Sequence, residues 1–109
     1  MFAFEIPGLR FSMPAGAEVK RYRFVSVDAN SAGITATAST PIVGVSMNEV
    51  KADQVLEIAD GIVIVEASAA ITAGVAVTAA ADGRAVADEG PAIALTSATA
   101  AGELITVKL

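Results

Sequence analysis

Apolar residues recur at every second position over several short stretches of this chain, and that spacing predicts β-strands rather than helices. In ITAGVAVT (71–78) every second residue is Ile, Ala or Val, and ELITVKL (103–109) alternates in the same way. GIVIVEAS (61–68) is a short continuous β-branched run, which is typical of a strand covered on both faces. Alanine favours helices intrinsically, but the interleaved Thr, Val and Gly residues favour strands here.

Turn-forming residues separate these runs. The Asp-Gly pair at 82–83 is a hairpin signal because glycine tolerates positive φ, and residues 60–61, 30–33 and 90–91 carry similar signals. The pattern predicts about eight short strands and no amphipathic helix. Short strands at this spacing favour an all-β fold, either a small barrel or a sandwich.

The chain also contains an internal repeat at a shift of fifty residues. With no gap, several residues fall on residues of the same type: Val25 on Val75, Val27 on Val77, Gly33 on Gly83 and Pro41 on Pro91. We therefore predict two similar halves, at about 17–60 and 67–109, that fold face to face into one core. A single half could not bury its apolar side alone.

The segment KRYRFVSVD (20–28) breaks the simple alternation. If Val25 and Val27 point inward, strict alternation also points Arg21 and Arg23 inward, which is costly without partners. Either a bulge shifts the register near Tyr22, or the two arginines lie at an open end of the barrel.

The aromatic residues are concentrated at the start of the chain. All five lie within the first 24 positions: Phe2, Phe4, Phe11, Tyr22 and Phe24. Prolines and glycines at 7–8 and 14–16 break regular structure and favour an extended course for residues 1–16. This N-terminal arm either folds back onto its own body, residues 17–109, or docks on another protein.

Length and composition restrict the chemistry. At 109 residues the chain forms one domain, and it contains no Cys and no His. These absences exclude disulfides, thiolate metal sites and a histidine general base, so Ser46 and Ser68 have no histidine to activate them. We expect no enzyme activity, no cofactor and no metal, because the spacing of the central acids matches no calcium loop. These acids are Asp28, Asp53, Glu57, Asp60 and Glu66.

The net charge of −5 is distributed unevenly. Residues 1–25 carry four bases against two acids, and the remainder carries three bases against ten acids. A basic arm before an acidic body favours an acidic partner surface for the arm. The KRYR stretch (20–23) places an aromatic among bases, as in single-strand nucleic-acid sites, but the acidic body would repel phosphates. We therefore expect no nucleic acid as a partner. No apolar run approaches the ~20 residues of a membrane helix, so we expect no membrane as a partner either.

Four stretches, in this order, resemble a known family: RYRFVSVDANSAG, TPIVGVSMNEVKADQVLEI, ADGIVIVEASAAITAGVAVTAAADGRAV and AIALTSATAAGELITVKL. Together they are similar to bacteriophage head decoration proteins, also called capsid cement proteins. The most specific pieces are residues 41–45, 81–86 and 101–104, and the resemblance covers roughly residues 17–109. Ala94 stands where that family usually has glycine.

The resemblance implies a compact β domain that binds the outer surface of an assembled icosahedral head and stabilises the capsid lattice. It implies the major capsid protein as a partner, a homo-oligomer with a trimer favoured over a dimer, and no catalytic residues. We expect the N-terminal arm to contact the capsid through Phe2, Phe4, Ile6, Leu9, Arg10, Phe11 and Met13. We expect a further oligomer or capsid contact at Lys20, Arg21, Tyr22 and Arg23.

Two other functions remain open from the sequence. A small carbohydrate-binding barrel would need an aromatic platform, for which only Tyr22 or Phe24 could serve. A phage tail subunit, also rich in β-structure, would form rings or tubes alone, whereas a cement protein stays a small oligomer until heads are added.

Overall fold

The computed structural model describes residues 6–109. The regular elements within that range are nine β-strands, and no helix is present there. Their bounds are β1 (Ile6–Pro14), β2 (Phe24–Val27), β3 (Gly33–Thr35), β4 (Gly44–Ser46), β5 (Val55–Glu66), β6 (Ala76–Ala79), β7 (Ala85–Ala87), β8 (Ala92–Ala94) and β9 (Leu104–Lys108).

The strands form one curled antiparallel sheet in the order β3-β2-β4-β5-β9-β8-β6-β7, with β1 paired to β5. The all-β prediction is confirmed, with nine strands in the described residues rather than about eight. Strand β5 joins the sheet together, because its first part pairs with β1 and β4 and its second part pairs with β9.

Two local predictions from the sequence are wrong. Residues 71–78 are not one strand, since a turn precedes β6 and Gly74 in that turn has a φ of 92°. Residues 60–61 are not a turn but lie inside β5, where Gly61 has a φ of 104° opposite a register shift in β1. In both places the glycine supplies a positive φ, but its position within the pairing decides between turn and bulge.

Two halves of the chain share one pairing plan. The hairpin pair Val27↔Gly33 corresponds to Ala79↔Ala85, an offset of 52 residues. Val45, the β4 partner of β5, corresponds to Ile93 of β8 at an offset of 48 residues. The uniform shift of fifty is therefore wrong. The offset changes because the loop between β3 and β4 is longer than the loop between β7 and β8.

Strand β1 is the first strand of the first repeat. Its pair Met13↔Leu56 corresponds to Val65↔Ile105 in the second half. We call residues 9–60 the first repeat and residues 61–109 the second repeat. The predicted separate arm at 1–16 is thus wrong for residues 6–14, because β5 pairs with that backbone. Phe2 and Phe4 lie outside the described residues.

The two hydrophobic clusters lie on opposite faces of β5. Leu56 and Ile58 belong to the smaller cluster, against which the half-buried Phe11 and Met13 pack. Val63 and Val65 belong to the larger cluster, which combines the second repeat with several residues of the first. One continuous strand therefore supplies both cores with side chains.

Three turns in each repeat have a left-handed backbone. The second repeat has glycine at all three, with φ values of 92°, 81° and 91°: Gly74, Gly83 and Gly102. The first repeat has other residues at the corresponding positions, with φ values of 62°, 62° and 70°: Tyr22, Ser31 and Asp53. The shared plan fixes the backbone at these turns even where the side chain disfavours it.

A charge network joins the repeats. Glu66, at the end of β5, lies between Arg23 and Arg84: its Oε1 is 3.1 Å from Arg23 Nη1 and its Oε2 is 3.3 Å from Arg84 Nη1. The Arg23 contact is an ion pair without hydrogen-bond geometry. Arg84 Nε also donates to Asp82 at 2.8 Å. Burial raises the pKa of Asp82, but hydrogen bonds from the Arg84 backbone and guanidinium outweigh it and lower that pKa.

We expect Gly74→Ala and Gly102→Ala each to lower the free energy of unfolding by about 1–2 kcal/mol. No atom lies within 4 Å of a Cβ added at either position, so the loss comes from the backbone conformation alone. Urea unfolding measures the effect. Ala101→Ser, at an exposed neighbouring position, is the control and should change stability by less than about 0.5 kcal/mol. Unchanged stability of both alanine variants would contradict the assigned φ values.

We expect Glu66→Gln to lower the free energy of unfolding by about 1–2 kcal/mol, because two arginines lose their charged partner. Arg23 is the more affected, since its side chain is only 13% exposed. The matched control is Glu49→Gln, at an exposed position outside the network. Equal urea midpoints for the two glutamine variants would show that the network contributes nothing to joining the repeats.

Candidate docking surfaces

A broad apolar surface lies on the outer side of β5, β9 and β8. In register, Ile64 of β5 lies opposite Thr106, and Glu66 lies opposite Leu104. Ile93 of β8 lies opposite Lys108. The apolar side chains of this surface are all exposed or half-buried, and we call the set the apolar sheet face: Ile62, Ile64, Ile93 (42% exposed), Leu95 (38%) and Leu104 (41%).

The repeat plan does not require every position of this face to be apolar. At the positions of the first repeat that correspond to Ile62 and Ile64, the chain has Arg10 and Ser12, and both are exposed. Ile93, Leu95 and Leu104 correspond to apolar residues: Val45, Met47 and Val55. Since the same backbone tolerates polar residues at two of the five positions, Ile62 and Ile64 extend the apolar surface in the second repeat alone. Exposed apolar side chains grouped on one sheet face mark an interaction site.

A second exposed surface lies at the beginning of β1. Leu9 is 58% exposed and Arg10 is also exposed. The strand begins at Ile6, which pairs with Ile62 of the apolar sheet face. Leu9 and Arg10 are consecutive in the strand, so their side chains lie on opposite faces of the sheet, and we call the exposed Leu9 side of β1 the N-terminal surface. The residues predicted to bind the capsid at positions 2 and 4 precede it.

Phe11 and Met13 lie on the same face of β1 as Leu9, at every second position, but are less exposed. Both are half-buried, and they lie opposite Ile58 and Leu56 in the β1–β5 ladder. They pack against the smaller hydrophobic cluster of their own chain. Part of their apolar surface therefore contributes to the core of the first repeat, and their assignment as capsid contacts stays a prediction.

The KRYR segment forms a turn before β2. Tyr22 has a φ of 62°, and the Arg21 guanidinium lies 4.5 Å from the centre of its ring. The buried Ser46 hydroxyl donates to the carbonyl of Lys20 and accepts from the Arg23 N–H at 3.0 Å. Lys20 and Arg21 are exposed, whereas Arg23 points into the charge network. A turn at residues 21–22 interrupts the alternation near Tyr22, where a bulge was one of the two predicted explanations.

Several of the side chains considered for chemistry have structural partners. The Ser68 hydroxyl donates to the Ala85 carbonyl, and Asp28 accepts from the N–H groups of Asn30 and Ala32. Within residues 6–109 no group of three or more acidic residues is placed to hold a metal. Nor does that range contain a helix with the length and apolarity needed to cross a bilayer.

The aromatic residues of the described range offer no free platform for a sugar ring. Phe24 is fully buried, Phe11 packs on the smaller cluster, and Tyr22 is half-buried beneath Arg21. This arrangement removes the observation on which a carbohydrate-binding function depended.

The sequence patterns missed the apolar sheet face. The β-branched run at 61–68 indicated burial on both sides, whereas Ile62 and Ile64 are only half-buried. The available signal was the alternation of apolar residues at 93, 95 and 104 with buried neighbours. It identifies a surface only when the register of β8, β9 and β5 is known.

Comparisons with known proteins agree with the fold. The model of the phage cement protein family matches residues 5–109. A similar solved structure is the head fiber gp8.5 N base in bacteriophage phi29, at 22% identity and a TM-score of 0.77, covering 93% of this chain and 92% of that chain. No curated protein matches. The chain belongs to the phage cement protein family and is a capsid decoration protein of the virion.

Proposed function

We propose that this cement protein binds the outer surface of the assembled head and that its partner there is the major capsid protein. The N-terminal surface makes the contact, together with the chain before Ile6. The supporting observation is Leu9, which is 58% exposed on a strand that β5 holds in place. A large apolar side chain held rigidly at the surface loses little conformational entropy when a partner covers it.

One such contact is weak. Complete burial of a Leu side chain is worth about 1.5–3 kcal/mol, and part of Leu9 is already covered. Several copies joined in one particle bind far more tightly, because the second and third contacts form at high effective concentration. We propose a homo-oligomer for this reason, with a trimer favoured over a dimer. Such a particle holds neighbouring capsid subunits together and so stabilises the lattice.

The charge of the chain supports a protein partner. The net charge is −5, and the region after residue 25 carries ten acids against three bases. Nucleic acid would be repelled by that acidic surface. We therefore propose a protein contact without nucleic acid, membrane, cofactor or catalysis.

We expect Leu9→Asp to weaken binding to assembled heads at least tenfold per site, because a carboxylate would be desolvated in the contact. Co-sedimentation of purified protein with undecorated heads measures the affinity. Val55→Asp is the matched control, since Val55 is 63% exposed on the opposite face of the sheet. Equal affinities of the two aspartate variants for heads would show that Leu9 is not part of the capsid contact.

We expect deletion of residues 2–5 to weaken head binding while the free energy of unfolding stays unchanged. The deletion removes Phe2 and Phe4 but leaves β1, which begins at Ile6. Co-sedimentation reports binding, and urea unfolding of the same preparation reports stability. A deletion variant that binds heads like the intact chain would show that the capsid contact does not include these residues.

A further inference from the structure

A row of four buried residues crosses the strands of the first repeat. Ala36 donates its N–H to the carbonyl of Phe24, Phe24 pairs with Val45, and Val45 pairs with Ala59. All four are 0% exposed and belong to the larger hydrophobic cluster. That cluster contains the core of the second repeat, so this row is the surface through which the first repeat packs against the second.

The second repeat has the corresponding row at its surface. Asp88 donates its N–H to the carbonyl of Ala76, Ala76 pairs with Ile93, and Ile93 pairs with Lys108. Asp88, Ile93 and Lys108 are exposed, and Ala76 is half-buried. We call these four residues the open row. It is continuous with the apolar sheet face through the pair Ile62↔Lys108.

The open row has opposite charges at its two ends and apolar residues between them. Three strand spacings of about 4.8 Å separate Asp88 from Lys108, so the two charges do not pair within one chain. In a closed ring of copies, Lys108 of one copy meets Asp88 of the next, and Ile93 lies in the water-excluded part of the contact. The two ends of the row are therefore complementary to each other in a closed ring.

We propose that the open row, with the adjoining apolar sheet face, is the surface through which copies of this chain associate, and that Lys108 pairs with Asp88 of a neighbouring copy. Two observations select a second copy as the occupant. The first is that the first repeat uses the same row to pack on a module of its own fold. The second is the charge complementarity of the row's ends. This inference rests on the proposed homo-oligomer.

Head-to-tail stacking of repeats does not explain the contact. Within the chain, Glu66 donates its N–H to the Tyr22 carbonyl and binds Arg23 and Arg84. At the positions that correspond to Glu66 and Arg84, the first repeat has Pro14 and Ala32. Proline has no N–H to donate, and alanine has no charge, so the first repeat cannot receive another module in the same way. The copies therefore meet through their open rows, and the assembly is a closed ring rather than an open stack of repeats.

The test is a charge swap read by mass in solution, with no heads present. Lys108→Asp and Asp88→Lys each place like charges at the contact, and we expect each to raise the dissociation constant of the oligomer at least tenfold. The double variant exchanges the two charges at unchanged net charge, and we expect it to recover most of the lost association. Sedimentation equilibrium over a range of concentrations measures all three constants.

Ile93→Asp and Val55→Asp complete the experiment. We expect Ile93→Asp to give monomer and Val55→Asp to leave the oligomer intact, with circular dichroism confirming that both are folded. A double swap no better than the single variants, or an oligomer unaffected by Ile93→Asp, would overturn the inference while leaving a homo-oligomer through another surface in place. A monomeric wild type would overturn both. Head binding through Leu9 is measured separately, so its failure is distinguishable.

Discussion

The fold depends on one strand that is shared by two cores. Leu56 and Ile58 on one face of β5 belong to the core of the first repeat, and Val63 and Val65 on the other face belong to the larger core. Because β5 also pairs with three other strands, it fixes the relative position of the two repeats. The first repeat buries the smaller cluster by itself, but its side chains in the larger core are covered only by the second repeat, so the two repeats form one unit.

The positions that the two repeats share maintain the fold, and the positions at which they differ indicate function. Equivalent positions carry the same role where the backbone demands it, as at the positive-φ turns, and in the cores, where Val25 corresponds to Val77. Equivalent positions differ in the row that the second repeat covers in the first repeat. The corresponding row of the second repeat is exposed. Glu66 binds one arginine of each repeat. Pro14, at the corresponding position of the first repeat, has no charge and cannot make these contacts. The exposed residues Ile93 and Lys108 therefore indicate a contact that the single chain leaves unmade.

The two proposed surfaces divide the work of a cement protein. The N-terminal surface presents the exposed Leu9 side chain, which suits an apolar contact with the capsid protein. The open row presents complementary charges around Ile93, which suits a second copy. Joining several weak contacts through a rigid β body converts modest single-site energies into tight attachment to a repeating lattice. A chain with a small core of Ala and Val can therefore reinforce a far larger assembly.

The sequence by itself determined the all-β class, because period-two alternation and glycine turns are local properties, as the hairpin at Gly83 illustrates. The ordered motifs of residues 17–109 also identified the family. Only the tertiary structure decided that β1 belongs to the body, that Phe11 and Met13 face a core of their own chain, and that Ile93 faces outward. Those outcomes depend on which strands pair and in what register. A one-residue change in register exchanges the two faces of a strand, so local patterns could not fix them.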